Sequence, residues 1–201
     1  MTNRRRMLAS AVALSALGLP AFAQRTPFTG EEIIVGSPSA PVTLIEYGSL
    51  SCSHCARFHN EVFHAFKAKH VDTGQVRFIF REMLAGDPNF AAFATVVARC
   101  AGRDQYFDVV DNVFRQQASI YEGGELRGPM LRIAQEAGLS EKEFTACISD
   151  RVAVTAVNER ARRWGASGVT STPTFEVNGK RVTGVQTLAQ LEAFIAENSK
   201  R

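Results

Sequence analysis

The chain has 201 residues, of which 45% are hydrophobic and 21% charged, and its formal net charge is +3. That length suits one sizeable domain, and the composition is ordinary for a globular protein. The excess positive charge equals that of an arginine run at positions 4–6, so the rest of the chain is nearly neutral. We therefore expect no nucleic-acid partner and no broad electrostatic attraction to membranes.

The first 23 residues predict a signal peptide. The arginine run at 4–6 is followed by an apolar stretch rich in Ala and Leu at 7–19 and by a small-x-small cleavage site at 21–23. Because the stretch is too short to span a bilayer comfortably, we expect export to the periplasm, an oxidising compartment where disulfides persist. The arginines also fit a twin-arginine signal, so the export route stays open. The alternative is a disordered tail or a buried helix.

The elements up to residue 87 alternate between strands and one helix. The sequence predicts strands at 33–35, 41–47 and 76–83, and an amphipathic helix from Cys52 to about residue 72. The strand at 41–47 is almost continuously apolar, which is typical of a strand buried on both faces. Strand, helix and strand at this spacing predict a right-handed βαβ unit.

Residues 88–165 change to helical periodicity throughout. Glycines separate the predicted helices, which lie at 89–100, 105–116, 128–137, 141–149 and 151–164. A capping box is predicted at Ser140, and Asp104 is a plausible second N-cap. We therefore interpret this segment as a helical insertion.

The last part of the chain returns to strands. Thr172-Pro173 leads into an apolar segment, and Asn178-Gly179 predicts a type I′ turn between two paired strands. An amphipathic helix over 188–198 closes the chain.

Cys52-Ser53-His54-Cys55 is the stretch from which the chemistry follows. Two thiols three positions apart at a helix start can form a local disulfide, and the exposed N–H groups and the helix dipole there favour a thiolate. Cys52 is the expected attacking thiol, its pKa lowered by those N–H groups and by His54, and Cys55, one turn deeper, is the expected resolving thiol. A stabilised thiolate makes the disulfide a stronger oxidant.

Alternative roles for these residues stay open. The cysteine pair could be an inert structural disulfide or half of a zinc site, although zinc usually takes four ligands and no second Cys-x-x-Cys or His pair follows. Haem attachment needs His directly after the second Cys, where this chain has Ala56. His54 alone could be a solvated helix-start residue. The spacings of five and six between His59, His64 and His70 do not place them on one helix face, which argues against a metal cluster, and we interpret them as surface or partly buried residues. We expect a redox-active pair with neither metal nor cofactor.

In combination these features resemble the DsbA-like branch of the thioredoxin superfamily. The resemblance rests on Cys-x-His-Cys at a helix start after a strand, an all-helical insertion, and Thr172-Pro173 some 120 residues later, ahead of a hairpin. It implies an α/β thioredoxin fold with an all-helical insertion, in which residues 24–87 and 166–201 form the thioredoxin-like domain and 88–165 the insertion. One departure is Ser53, which stands where the best-known members have Pro.

The resemblance also implies roles for three further residues. Glu46 lies in a predicted buried strand, where an isolated carboxylate is costly, and in the family an acid at this place relays protons to the buried cysteine. Thr172-Pro173 resembles the cis-proline loop that packs against the disulfide and docks extended substrates by strand addition. The alternatives are a solvated Glu46 at a sheet edge and an ordinary trans proline at a strand start.

Two further cysteines, Cys100 and Cys147, fall in the helical insertion. In an exported protein two leftover cysteines are expected to pair, and closing a loop of nearly fifty residues would stabilise the fold by roughly 4 kcal/mol in the chain-entropy model. We therefore expect a structural disulfide. Two buried free thiols, or a second redox pair that communicates with Cys52 and Cys55, are the alternatives.

Members of the family introduce disulfides into secreted proteins and are reoxidised by a membrane partner. The sequence therefore predicts a periplasmic thiol:disulfide oxidase, a monomer, that acts on reduced or unfolded exported proteins and is reoxidised by a membrane-embedded DsbB-like protein. The alternatives are an isomerase or a reductase of the same superfamily, and a non-catalytic module that binds unfolded chains. Cys52→Ala separates a catalyst from a binding module, because the substitution would abolish catalysis but leave the binding of unfolded chains intact.

Overall fold

The fold is built on one mixed sheet of five strands. The computed structural model describes residue 30 and residues 32–199, so the predicted signal peptide at 1–23 lies outside the described residues. The strands are β1 at Ile33–Val35, β2 at Val42–Gly48, β3 at Val76–Glu82, β4 at Thr174–Val177 and β5 at Lys180–Thr183. Their order in the sheet is β1-β3-β2-β4-β5. β2 and β3 pair in parallel, as the βαβ prediction requires, and the other pairs are antiparallel.

One long helix, α1, connects β2 to β3. It is continuous over residues 53–71 and alternates between α-helical turns and wider π turns, at Ser53–Phe58, His59–Phe63, His64–Phe66 and Lys67–Val71. Its buried face includes Phe58, Phe63 and Phe66. The apolar periodicity predicts the helix but not the π turns; such turns are rare and are often found at functional sites.

Five helices follow β3 and precede β4, as the helical periodicity predicts. They are α2 at Pro88–Cys100, α3 at Tyr106–Gly123, α4 at Arg127–Glu136, α5 at Glu141–Ile148 and α6 at Arg151–Ala166. A last helix, α7 at Leu188–Asn198, follows β5. None of the described helices has the length and apolar character needed to cross a bilayer. The α/β thioredoxin fold with a helical insertion is confirmed, whereas the domain boundaries at 88 and 165 stay predictions.

The helix and hairpin ends follow local sequence signals with one exception. Ser140 forms the predicted capping box at the start of α5, and Asn178 has a positive φ of 49° in the predicted turn. The predicted N-cap at Asp104 is wrong, because Asp104 lies within a 3₁₀ turn and α3 begins after it without a side-chain cap. Asp87 and Asp150 cap α2 and α6 instead, each accepting two backbone N–H bonds.

A buried ion network joins the helical insertion to the sheet. Glu82, the last residue of β3, accepts a bond from Arg99 Nε of α2 at 2.5 Å, and its other oxygen lies 3.7 Å from Arg160 Nε of α6. All three side chains are buried. Because a buried charge is costly unless it is paired, this network favours one fixed placement of the insertion against the C-terminal end of β3.

Candidate active site

The two cysteines lie at the junction of β2 and α1. Cys52 is the N-cap residue of α1, with extended backbone angles of φ −85° and ψ 118°. Its side chain is partly exposed, whereas Cys55, one turn into the helix, is 0% exposed. Both are free thiols in this structure. The helix start therefore presents one accessible and one inaccessible sulfur, as the sequence predicts.

The surroundings of Cys52 favour its thiolate. A hydrogen bond from the Cys55 thiol is the largest cause that lowers the pKa of Cys52, to about 5, against the opposing effect of partial burial. The Thr172 side chain and the backbone N–H groups of Cys55 and His54 lower the pKa further. A partly exposed sulfur with several hydrogen-bond donors around it has the environment of a reactive cysteine.

Cys55 has the opposite electrostatic character. Burial raises the pKa of its thiol well above the ordinary value, and the hydrogen bond that it donates to Cys52 and the negative charge of Glu46 act in the same direction. Its sulfur accepts one weak bond, from the Ser49 backbone N–H at 3.5 Å. Cys52 thus favours the thiolate, whereas Cys55 keeps its proton.

His54 contributes in a different way from the one expected. Its imidazole is exposed, and within the described part of the chain it makes no hydrogen bond to Cys52. The effect of this residue on the pKa of Cys52 comes from its backbone N–H. The thiol of Cys55 lowers the pKa of Cys52 most, an effect that the sequence interpretation, which names the helix-start N–H groups and His54, does not include.

Thr172 and Pro173 lie beside Cys52. The peptide bond between them is cis, and the Cys52 thiol donates to the Thr172 carbonyl at 3.4 Å. The segment precedes β4, which pairs with β2, so the sheet brings residues 120 positions apart into contact. The carbonyl loses this donor whenever Cys52 is a thiolate or is joined to another sulfur.

Glu46 is fully buried on β2, and it has a partner that the sequence interpretation misses. His59, at the first π turn of α1, is 1% exposed, and its Nε2 lies 2.9 Å from Glu46 Oε2. The prediction of a surface or partly buried His59 is therefore wrong. The available signal is its place between the apolar residues Phe58, Val62 and Phe63 on the core face of the helix.

The loop between β2 and α1 is held by side chains from two directions. Ser49 and Ser51 each donate to the Ala85 carbonyl, at 2.8 and 2.5 Å. From α3, the buried Gln117 donates to the carbonyls of Leu50 at 2.8 Å and Cys52 at 3.4 Å. Because these carbonyls sit in a buried turn, Gln117 gives them the donors that the turn cannot supply.

A groove of about 750 Å³ includes Thr172 in its lining. Three segments line it: the loop after β3, one face of α6 and the residues leading to the cis peptide. Its exposed lining is mostly apolar, with Asn158, Glu159 and Arg162 as its polar rim. Thr172 thus belongs to the groove lining and also accepts the hydrogen bond from the Cys52 thiol.

Cys100 and Cys147 lie outside this site and are joined in a disulfide between α2 and α5. Both are buried. Over the residues that the structure describes, no cluster of three or more His, Cys, Asp or Glu side chains could hold a metal ion.

Comparison with known proteins gives the same fold. The family model described as thioredoxin matches residues 29–197. A Rickettsia typhi protein named "Putative protein-disulfide oxidoreductase" is 30% identical over 150 residues, which are 74% of this chain and 55% of that protein. The chain thus spans about half the length of the curated relatives it matches.

Two solved structures are similar over most of their length. The crystal structure of alpha-DsbA1 from Wolbachia pipientis has a TM-score of 0.74 and 28% identity, and the match covers 92% of this chain and 94% of that one. Oxidised BdbD from Bacillus subtilis also has a TM-score of 0.74, with 18% identity, 87% of this chain and 96% of that one; at this identity the likeness shows the fold alone.

Proposed function

The chain belongs to the thioredoxin family, in its DsbA-like branch, and from that premise we propose that it is an exported thiol:disulfide oxidase that passes its Cys52–Cys55 disulfide to other proteins. The observation that carries the proposal is the pKa of Cys52, lowered to about 5 beside a Cys55 whose pKa is raised. Because a stabilised thiolate stabilises the reduced form, the disulfide is readily given up. A reductase would need a disulfide form that is more stable than its dithiol form.

The reaction follows from this asymmetry. A substrate thiolate attacks Cys52, a mixed disulfide forms, and the electron pair of the Cys52–Cys55 bond leaves on Cys55, which takes up a proton. A second substrate thiolate then attacks the substrate sulfur of the mixed disulfide, and Cys52 leaves as the better anion. Cys52 is the sulfur attacked because it is the accessible one.

Substrate binding is proposed at Thr172 and the adjoining groove. In the oxidised protein Cys52 carries no proton, so the Thr172 carbonyl that accepts its thiol bond here is available to a backbone N–H of an extended substrate. Main-chain pairing does not depend on sequence, and the mostly apolar groove suits the side chains of unfolded proteins. Together these features support a broad choice of reduced, unfolded exported proteins.

The remaining parts of the proposal concern proton transfer and cellular context. Glu46, buried on β2 and close enough to influence the charge on Cys55, is proposed as the group that exchanges a proton with it. Export of the chain by a signal peptide places the reaction in the periplasm. A membrane-embedded, DsbB-like protein is the proposed reoxidant, because each cycle leaves the enzyme reduced.

The test is oxidation of a reduced, unfolded protein such as ribonuclease by the oxidised enzyme, together with the equilibrium of Cys52–Cys55 against glutathione. We expect the substrate to gain disulfides and the glutathione equilibrium to favour the dithiol. Both Cys52→Ala and Cys55→Ala should abolish transfer, because neither variant has a disulfide to give. With oxidised glutathione, Cys55→Ala should form a mixed disulfide at Cys52 and release one reduced glutathione, whereas Cys52→Ala should not. An equilibrium that favours the disulfide would contradict the proposal, and faster repair of scrambled ribonuclease than oxidation would indicate an isomerase.

A further inference from the structure

A histidine fully buried beneath the cysteine pair has no function assigned by the oxidase mechanism. His59 Nε2 is 2.9 Å from Glu46 Oε2, and the two side chains are 1% and 0% exposed. The other neighbours of the imidazole are rings, with Phe114 of α3 at 4.5 Å and Phe80 of β3 at 5.9 Å between centroids. The pair is thus a polar contact inside an aromatic core.

Each member of the pair retains one polar atom without a partner. Within the described residues, Glu46 Oε1 and His59 Nδ1 are both buried and form no hydrogen bond. Unpaired buried polar atoms are costly, so each one in a folded protein calls for an explanation. The atoms form a row, Nδ1 and Nε2 of the imidazole followed by Oε2 and Oε1 of the carboxylate, with a hydrogen bond at its centre.

The carboxylate end of this row and the Cys55 sulfur both lie at the end of β2. A Cβ built on Gly48 would meet Glu46 Oε1 at 2.9 Å, and the backbone N–H of the following residue, Ser49, lies 3.5 Å from Cys55 Sγ. The carboxylate oxygen and the sulfur therefore border consecutive residues of one strand end. Consistently, the charge of Glu46 is among the causes that raise the pKa of Cys55.

We propose that His59 is the positioning residue of a two-residue proton carrier, in which it holds Glu46 and shares the proton that Glu46 exchanges with Cys55. This inference rests on the proposed function. When a thiolate opens the Cys52–Cys55 bond, the electron pair stays on Cys55; a proton then moves from Glu46 to that sulfur, and the His59–Glu46 pair is left with one proton fewer. Reoxidation returns the proton by the reverse route.

An imidazole suits this task because it keeps its bond to the carboxylate in both states. With the pair loaded, the central hydrogen bond joins an imidazole and a carboxyl group that hold two protons between them; with the pair depleted, Nε2–H still donates to the carboxylate. Within the described residues, the ionisable groups coupled to Cys55 are Glu46, and Cys52 at the α1 start. β3 and α3 face the imidazole with the rings of Phe80 and Phe114.

The experiment measures how fast dithiothreitol opens the Cys52–Cys55 disulfide, as a function of pH, in the full oxidised protein. His59→Gln keeps an N–H donor but removes the imidazole ring, and we expect the reaction to slow by about tenfold or more and its pH profile to change. The matched control is His64→Gln, five residues later on α1, where the imidazole is 53% exposed; it should leave both unchanged.

A double-variant comparison separates positioning from packing. If His59 acts through Glu46, then His59→Gln added to Glu46→Gln should slow the reaction no further, because the two substitutions remove one unit. Fully additive losses, or a His59→Gln pH profile identical to that of the unmodified protein, would overturn the proposal.

A second measurement uses the unsubstituted protein and so does not depend on any variant folding. The ring ¹⁵N shifts of His59 should differ between the oxidised and reduced states, since the pair changes its proton content, while those of His64 should not. Identical His59 shifts in both states would overturn the proposal. The oxidase function is tested separately by ribonuclease oxidation, so an enzyme that fails there can still show the His59 effect with dithiothreitol.

Discussion

Cys52 and Cys55 lie three residues apart at the start of one helix and are free thiols, whereas Cys100 and Cys147 are 47 residues apart on two helices and form a disulfide. The first pair consists of one partly exposed and one buried sulfur with opposite pKa shifts. Both members of the second pair are buried among the helices of the insertion. The two pairs therefore indicate that a sulfur becomes reactive through its exposure and nearby hydrogen-bond donors, more than through the presence of a second cysteine.

The largest effect is expected from removing the second pair. Cys100→Ala with Cys147→Ala should lower the free energy of unfolding by about 4 kcal/mol, because the chain between them is no longer closed into a loop in the unfolded state. Urea unfolding of the oxidised protein measures the loss, and Cys100→Ser with Cys147→Ser is the matched control for side-chain volume.

The same variant tests whether the two pairs are independent. The glutathione equilibrium of Cys52–Cys55 should be unchanged, because no contact between the pairs is needed for the mechanism. A shift of tenfold or more would show that the second pair communicates with the first, and the contrast between a reactive and a structural pair would then fail.

A smaller effect is expected at the residue that connects the two regions. Gln117→Ala should lower the free energy of unfolding by about 1–3 kcal/mol, because the buried carbonyls of Leu50 and Cys52 lose a donor from α3. The loss should appear in both redox states. Gln116→Ala, one residue earlier and partly exposed, is the control; equal losses for the two variants would mean that Gln117 does not hold the cysteine loop.

The smallest effect is the pH dependence of the reduced protein relative to its Cys52→Ala variant. Folding lowers the pKa of Cys52 to about 5 from an ordinary value of 9.0, so the stabilisation from the thiolate is complete above pH 9 and is lost as the pH falls through 5. Since the sulfur is partly exposed, solvent screening reduces the contribution at pH 7 to about 1–2 kcal/mol.

Unfolding of both reduced proteins by urea at pH 8, 6.5 and 4 measures this difference. A constant difference across that range would show that the thiolate is not stabilised by the fold. The difference in stability between the unsubstituted protein and Cys100→Ala with Cys147→Ala should stay constant over the same pH range, because both proteins retain Cys52.

Much of the fold can be predicted because its signals are local. The sequence predicts β3 at 76–83 and the strand lies at Val76–Glu82, and the five insertion helices lie where glycines and periodicity separate them. The largest error is the end of α3, which is predicted at 116 but lies at Gly123. Gln117 is polar yet buried, so the apolar pattern of α3 is interrupted soon after Phe114 although the helix continues.

The candidate site is predicted less completely, for a physical reason. The cysteine pair, Glu46 and the Thr172-Pro173 segment can be named from residue type and spacing. The buried place of His59 is missed although its apolar neighbours on α1 indicate it, because its partner is on another element and the other histidines of α1 are more exposed. The sequence interpretation also expects the His54 side chain to lower the pKa of Cys52. In the structure the largest lowering effect comes from the Cys55 thiol, and His54 acts through its backbone N–H.

By itself, the sequence determined which segments become strands and helices and which residue types stand at the start of α1, because propensity, capping and periodicity act over a few residues. The packing of the elements added what the sequence left open or misread: His59 lies against Glu46, the Cys52 thiol donates to the Thr172 carbonyl, and Cys100 and Cys147 are joined and not free. These contacts join residues from different elements, so they depend on how the sheet and helices pack, which no short stretch of the chain specifies.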